Sequence, residues 1–394
     1  MLLKERFDTM RLSIITINYN NAEGLRKTLA SVASQTYPYI EHVIVDGGST
    51  DDSVEIIRQY ADNQAKGERL EAKGTGNEVK GEENGEADSN NNSTPIYTNL
   101  YHSTPSTHIV RWISEPDKGI YNAMNKGIEI ALGRRVVNSF NRSELVEDKN
   151  KGIRMATGDY IQILNSGDIL VAHDVTERMM AALSERNEKI NNQQSKQFDN
   201  QQLKQSTSDI VNIVENKKSA SPAIFYGNMI KEYPDGKRII DKCLGDRNIL
   251  TTSVREIEWT MYDFIKGTIN HDPTYIHRSL YEKFGLYDEK LKIVSDWKWF
   301  VNAVVFGGEK VFYAPIDVTI FDMTGISETN LIEREKERND ELEKMLPIAI
   351  LKDYHKYRFP IYQYNHLQKY HLWSIVYFIE RVLFKLEKWK IIKR

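Results

Sequence analysis

The sequence predicts an α/β protein built on a parallel sheet, on three observations. Short apolar runs rich in β-branched residues alternate with segments whose apolar residues recur at helical spacing. The opening order is strand, helix, strand, turn, helix, the connectivity of parallel pairing. Each early strand ends in a polar turn, the place where an open α/β sheet carries its ligands.

Arg11 to Ile17 (RLSIITI) reads as a buried strand closed by Asn18-Tyr19-Asn20-Asn21. Ala22 to Gln35 places Leu25, Leu29 and Val32 at helical spacing. Ile40 to Val45 is the next strand, Asp46 to Asp52 a tight turn, and Ser53 onward a helix with Val54, Ile57 and Tyr60 inward. From about 63 to 108, Gly, Glu, Asn, Lys and Ser dominate, too few apolar residues to offset the entropy of ordering, and a disordered insertion is expected. Ile109 to Ile113 resumes the strands and a helix runs from about Tyr121.

Asn125-Lys126-Gly127-Ile128 then recurs as Asn150-Lys151-Gly152-Ile153, with Ala131 and Gly133 matched by Ala156 and Gly158. This is a local duplication that leaves an insertion over about 128–152, and the sequence leaves open which copy packs. Asp159 to Leu164 is a strand ending in Asn165-Ser166-Gly167-Asp168, and Val175 to Ser184 a helix. A second polar tract, about 187–218, is read as loose. Ala223 to Gly227, Arg238 to Ile240 and Thr274 to His277 are further strands; Arg278 to Phe284 and Trp297 to Phe306 are helices. Residues 1–10 are read as an N-terminal extension, 11–345 as the main domain, and 346–394 as a helical tail. Tyr370 to Arg394 has aromatic and aliphatic positions at helical spacing and six basic against two acidic residues, a pattern suited either to a membrane interface or to a terminal helix packed on the domain.

Composition narrows the function classes. A net charge of −3 supplies no global field for nucleic acid. Cys243 is the single cysteine, so an intrachain disulfide framework is excluded, a Cys-based zinc site is disfavoured and a reducing compartment fits. The first residues lack the apolar run of a signal peptide, and no stretch reaches the roughly 18 apolar residues of a membrane span. A cytoplasmic protein, peripheral on the inner face of the membrane, is expected. There is no GxSxG elbow, Walker A sequence, GxGxxG after a strand or HxxxH pair, against esterase, NTPase, dehydrogenase and protease readings.

Candidate chemistry sits at the strand ends: Asn18-Tyr19-Asn20, Asp46, Asp117, and Asn165 to Asp168. Each residue alone is explained by capping and turns; four polar ends on one edge are harder to explain so. Asp168, after a Ser-Gly turn, suits a Mg²⁺ or Mn²⁺ ion shared with diphosphate oxygens, with Asn165 nearby. Asp296 stands at a helix start beside Trp297 and Trp299; it is a candidate general base whose basicity desolvation would raise, and either tryptophan a candidate stacking face for a sugar. His271 is either an acceptor-site group or a loop histidine.

Together these segments resemble the family 2 glycosyltransferases of the bacterial type that builds surface polysaccharides and lipid-linked glycans. Ser13 to Asn20 resembles the first nucleotide-binding strand, and Val45 to Asp51 the VDGGSTD segment whose first Asp recognises the base. Glu115 to Gly127 is similar to the EPDKGIYDAMNKG signature of one subgroup, and Leu164 to Asp168 to its version of the metal-binding DxD motif. Ser295-Asp296 falls at the catalytic ED pair; His271, Phe284 to Glu289 and Thr324 to Ser327 also fit. Asn122 stands where the subgroup has Asp, and Asn165 and Gly167 leave Asp168 as the one carboxylate of the motif.

The resemblance implies a GT-A, Rossmann-like sheet flanked by helices with a helical C-terminal extension. It implies metal-dependent inverting transfer from a nucleotide-sugar, a UDP-sugar first, to a glycan or lipid-linked glycan hydroxyl. Asp296 is then the base and Asp168 the metal ligand. Thr16, Asn18, Tyr19, Asn20, Asp46, Asp117, Lys118, Gly119, Asn125 and Asn165 bind the nucleotide-sugar; His271 and Trp297 meet the acceptor. The alternatives are an inactive nucleotide-sugar-binding or scaffold protein, and a nucleotidyltransferase.

Overall fold

The structure, a computed structural model, describes residues 10–66, 108–135, 137, 145–148, 152–155, 158–201, 223–242, 253–323, 330–353, 356 and 373–388. The stretch 67–107 of the first expected insertion, Cys243 and Thr324 to Ser327 lie outside the described residues. The chain divides into two compact units, Met1–Asn330 and Leu331–Arg394.

The first unit opens as predicted: β1 (Leu12–Asn18), α1 (Ala22–Ala33), β2 (Ile40–Asp46), α2 (Ser53–Lys66), β3 (Ile109–Ser114) and α3 (Ile120–Ala131). A two-stranded ribbon, β4 (Leu145–Asp148) with β5 (Gly152–Met155), precedes β6 (Tyr160–Ile163) and the short β7 (Ile169–Leu170). Then come α4 (Val175–Gln201), β8 (Ile224–Glu232), β9 (Arg238–Asp241), β10 (Arg255–Ile257) and α5 (Met261–Lys266). The unit closes with β11 (Thr274–His277), α6 (Arg278–Phe284), α7 (Ser295–Phe300) running into a π-helical turn Val301–Phe306, and β12 (Val311–Asp322). The second unit contributes α8 (Leu331–Met345) and α9 (Trp373–Lys388).

One mixed sheet organises the first unit, in the order β10-β12-β8-β11-β6-β1-β2-β3. Its right half is parallel, with Asn18 opposite Asp46 and Asp46 opposite Ser114, so three strands end level on one edge. β6 pairs parallel with β1 and delivers the Asn165–Asp168 loop to the same edge. β11 is antiparallel to both β6 and β8, so the loop before it, with His271 and Asp272, starts from that edge too. β1 and β2 are buried along their whole length, which explains how dense they are in Leu, Ile and Val.

Two apolar layers cover the sheet. Leu25, Leu29, Ile44, Ile56, Ile57 and Tyr60 form one cluster. Leu12, Ile14, Tyr160, Val175, Met179, Phe225 and Phe312 belong to the other. Ile56 takes the inward place expected of Val54, which is half-buried. α4 continues to Gln201, inside the tract read as loose from about 187; residues 202–222 lie outside the described residues.

The duplicated tetrapeptide is resolved by packing. The first copy lies in α3 with Asn125, Lys126, Gly127 and Ile128 all buried. Gly152 and Ile153 of the second copy belong to β5 instead. A Cβ on Gly127 would stand 2.3 Å from Ile15 Cγ2, so α3 lies against β1 at a distance a side chain would prevent. Gly127→Ala is expected to lower the unfolding free energy by about 1–2 kcal/mol, the overpacking cost exceeding the helix-propensity gain. Urea denaturation measures it, and a stabilised variant would contradict the close approach.

Candidate active site

The nucleotide side of the site is built on Asp46. Its carboxylate is fully buried and accepts from the Asn18 amide at 2.9 Å, the Ser49 backbone N–H at 2.9 Å, the Ser49 hydroxyl at 2.5 Å and the Ser114 hydroxyl at 2.7 Å. The Gly48 N–H adds a longer bond of 3.2 Å. Asp46 therefore ties the ends of β1, β2 and β3 together from beneath. Above it, Tyr19 is 64% exposed and Asn20 holds the Thr50 backbone N–H through Oδ1 at 2.8 Å.

Gly47 keeps a gap open between two of these groups. A Cβ there would stand 2.4 Å from Asp117 Oδ2 and 3.2 Å from Tyr19 Cδ2. Asp117 in turn accepts the Gly119 N–H at 2.9 Å, and Gly119 has φ of 121°, a backbone state that suits glycine. Lys118 and Gly119 are exposed on this rim. Below the loop, Lys126 reaches the Pro116 carbonyl and Glu115, both at 2.9 Å, and Arg135 also pairs with Glu115.

The Asn165–Asp168 loop is held by α1. The Thr28 hydroxyl donates to the Asp168 carbonyl at 2.7 Å and accepts the Gly167 N–H at 3.0 Å. The Asn21 amide donates to the Ser166 carbonyl at 3.1 Å, so the two halves of the rim touch. Gly167 has φ of 109°.

Asp168 is buried, and its Oδ1 accepts the Asp322 N–H at 2.9 Å. Burial and then the facing Asp272 carboxylate hold the Asp168 carboxyl well above the ordinary range. Burial also raises Asp272, so two carboxyls whose charged forms are disfavoured face each other here.

His271 joins this pair to Asp296. Its Nε2 is 3.4 Å from Asp272 Oδ1 and 3.2 Å from Asn165 Nδ2; its Nδ1 is 3.3 Å from Asp296 Oδ2. Burial pulls the imidazole down, but Asp272 and Asp296 outweigh it and hold it at about 9, so it is an imidazolium at neutral pH. Asp296 keeps 14% of its side chain exposed and accepts from the Tyr121 hydroxyl at 2.9 Å. Burial pushes its carboxyl up, yet His271 and Tyr121 more than offset this and leave it below its ordinary value. The expectation that desolvation raises its basicity is therefore corrected: Asp296 is ionised because two donors hold it.

Three further expectations are corrected. Thr16 is wholly buried with its hydroxyl 2.9 Å from His42 Nε2, because its strand position faces the interior. Asn125 is on the inward face of α3, bonded to the Tyr287 carbonyl and N–H and to Glu289, which braces the loop before α7. Trp297 is 1% exposed and donates to the Phe264 carbonyl at 2.7 Å; one residue past Asp296 on a helix, it turns into the core and offers no stacking face. Trp299 is buried too, donating to the Gly285 carbonyl at 2.8 Å. Asp272 and Tyr121 were missed, although both lie inside segments singled out: Asn270-His271-Asp272 and Glu115 to Gly127.

Polar strand carboxyl ends, an acidic pair behind them and an ionised carboxylate beside them are the kind of constellation an open α/β sheet carries at a ligand site. Residues 13–77 match the sequence model described as Glycosyl transferase family 2. An uncharacterized glycosyltransferase of Mycobacterium tuberculosis is 28% identical over 174 residues, 44% of this chain and 40% of that protein. A PGL/p-HBAD biosynthesis glycosyltransferase of Mycobacterium bovis is 31% identical over 121 residues, 31% of each. The chain thus spans less than half the length of these curated relatives. The solved structure of S. aureus TarS 1–349 in complex with UDP aligns with a TM-score of 0.45 at 13% identity, covering 91% of this chain and 74% of that one.

Proposed function

We propose that this chain transfers a sugar from a nucleotide diphosphate, UDP in the first instance, to an acceptor hydroxyl with inversion at the anomeric carbon. One observation carries the reading: His271 stands between the half-open, ionised Asp296 carboxylate at 3.3 Å and Asp272 at 3.4 Å, and Asp272 faces Asp168. A base and a leaving-group site thereby share one edge of the sheet. Tyr19, Asn20 and Asp117 to Gly119 line the nucleoside side, with Asn18 and Asp46 setting the shape beneath them.

A divalent cation, Mg²⁺ or Mn²⁺, fits the residues present. Asn165 Oδ1 is a buried acceptor with no hydrogen-bond donor, and Asp272 Oδ1, 3.4 Å from His271 Nε2, is a second buried acceptor beside Asp168. Such an acceptor-rich pocket suits a hard ion. Among the described residues no three His, Cys, Asp or Glu side chains are arranged to hold a metal alone, so Asp168 would hold it together with the donor's phosphates. When bound, the ion supplies Lewis-acid stabilisation to the departing diphosphate. The chain's own part is to place Asp296 where it takes the acceptor's proton, ready ionised at neutral pH.

The acceptor is proposed to be a glycan or lipid-linked glycan met at the inner face of the membrane. In α9, Ile375, Phe378, Ile379, Val382 and Leu383 are exposed at helical spacing, with Arg381 and Lys385 also exposed. Among the described residues no helix is long and apolar enough to cross a membrane, which favours lying on the surface over spanning it. A screen of UDP- and GDP-sugars for metal-dependent hydrolysis tests the reading without an acceptor. Metal-dependent release of UDP is expected; nucleotide binding with no turnover of any donor would point instead to an inactive binding protein.

A further inference from the structure

The Tyr121 hydroxyl lies 2.6 Å from the Ile293 carbonyl oxygen and 2.9 Å from Asp296 Oδ1. A phenol has one proton, so it donates to one of these acceptors at a time. The other contact then brings two oxygens together with nothing between them, unless the second partner supplies a proton. The Ile293 carbonyl has none to give, whereas Asp296 has one as soon as it acts as a base.

We propose that Tyr121 is a two-way positioning residue that holds Asp296 Oδ1 in both of its charge states. Before transfer the phenol donates to the carboxylate. After transfer it turns its proton to the Ile293 carbonyl and accepts a hydrogen bond from the carboxylic acid. The inference rests on the base role given to Asp296 above.

The atoms balance. The acceptor oxygen forms its bond to the anomeric carbon, and the carbon–oxygen bond to the diphosphate breaks, its electron pair leaving with the nucleotide. The acceptor's proton moves to Asp296 Oδ1, because Oδ2 is already engaged by His271 Nδ1 at 3.3 Å. Tyr121 gains and loses nothing; its O–H bond rotates.

The surroundings fit this task. Tyr121 sits in the first turn of α3, four positions after Asp117, and its ring packs on Tyr287 at 5.6 Å between centroids. Asn125, one helical turn further on, clamps the Tyr287 backbone on both sides. Ring and carbonyl are thus fixed, and the hydroxyl rotor is the part left to move. Burial, and then the charge of Asp296, hold the phenol's own ionisation far above neutral pH, so it stays a donor. The titratable groups that act on Asp296 are Tyr121 from α3, His271 and Asp272 from the loop before β11, Tyr281 from α6 and Tyr287 from the loop after it.

The test compares Tyr121→Phe with Asp296→Asn, using the nucleotide-sugar that turns over in the donor screen. Tyr121→Phe is expected to lower kcat by roughly tenfold, the value of one hydrogen bond to a charged group, with the donor KM within about twofold. The acid limb of its kcat–pH profile should move to higher pH, since the carboxylate loses a donor. A purely structural role would not move that limb. Wild-type kcat and profile in Tyr121→Phe, beside an inactive Asp296→Asn, would overturn the inference and leave the base role standing. An active Asp296→Asn would remove the base role and this inference with it. If circular dichroism shows Tyr121→Phe unfolded, 3-fluorotyrosine at position 121 decides: a stronger donor of nearly the same shape should move the acid limb to lower pH, and an unmoved limb refutes the proposal.

Discussion

Asp296→Asn is expected to lower kcat about a thousandfold while leaving nucleotide affinity within about twofold, the scale of losing a positioned general base. The amide keeps the shape of the carboxylate and can still accept from Tyr121, but it cannot take a proton from the acceptor. Asp296 keeps 14% of its side chain exposed and is held by His271 and Tyr121, whereas Tyr19 and Asp117 flank Gly47. Binding and turnover should therefore separate. Calorimetry with UDP and Mn²⁺ reads the first, and single-turnover transfer or donor hydrolysis reads the second. Near-normal turnover in the variant would show that another group takes the proton.

Arg111→Met is expected to cost about 3–5 kcal/mol of stability, the usual result of stranding one partner of a buried ion pair. Arg111 Nη1 lies 2.6 Å from Glu41 Oε1, with side-chain exposures of 5% and 0%. The Ser13 hydroxyl and the Gly158 N–H complete the shell around Glu41. Burial already raises the Glu41 carboxyl, and Arg111 is the largest influence opposing it. Without Arg111 the folded state binds this proton more tightly still. A folded pKa above the unfolded value means stability is lost as pH rises from the carboxylate range upward. The deficit of the variant should therefore shrink between pH 7.5 and pH 5, and Glu41→Gln placed on top of Arg111→Met should recover part of it. Denaturant midpoints at the two pH values measure this. An unchanged midpoint at pH 7.5 would show that the pair contributes nothing.

Most of the α/β frame was legible because burial leaves plain marks: β1 and β2 carry mostly Leu, Ile and Val, and α1 repeats Leu25, Leu29, Val32 on one face. That Asp46 and Asp168 stand at one edge was readable from polar strand ends in order, whereas Asp296 stands at a helix start and meets that edge only through His271 and Asp272. What failed was orientation at single-residue resolution. Thr16 and Asn125 lie within the right segments but point inward, and a segment match does not say which face a residue is on. At Asp296 and Trp297 the helix turns by about 100° per residue, so neighbours in sequence divide between cleft and core. Asp272 and Tyr121 escaped notice because their importance comes from partners 104 and 175 positions away, Asp168 and Asp296, which only folding supplies. The sign of the Asp296 shift was hidden for the same reason: burial can be guessed from a sequence, but the imidazolium and phenol that outweigh it cannot.

Arg278 donates its backbone N–H to the Asp159 carbonyl at 2.9 Å and its guanidinium to the Leu132 carbonyl at 3.2 Å. The stretch carrying the duplicated tetrapeptide therefore departs and returns through one doorway, at the amino ends of the strands, opposite the rim where Asp46 and Asp168 stand. Arg11 and Asp159 latch the return, each backbone N–H bonded to the other residue. Because Arg278 and Arg11 pin both ends of that stretch, length added or trimmed between them need not move β6 or the loop it delivers to the rim.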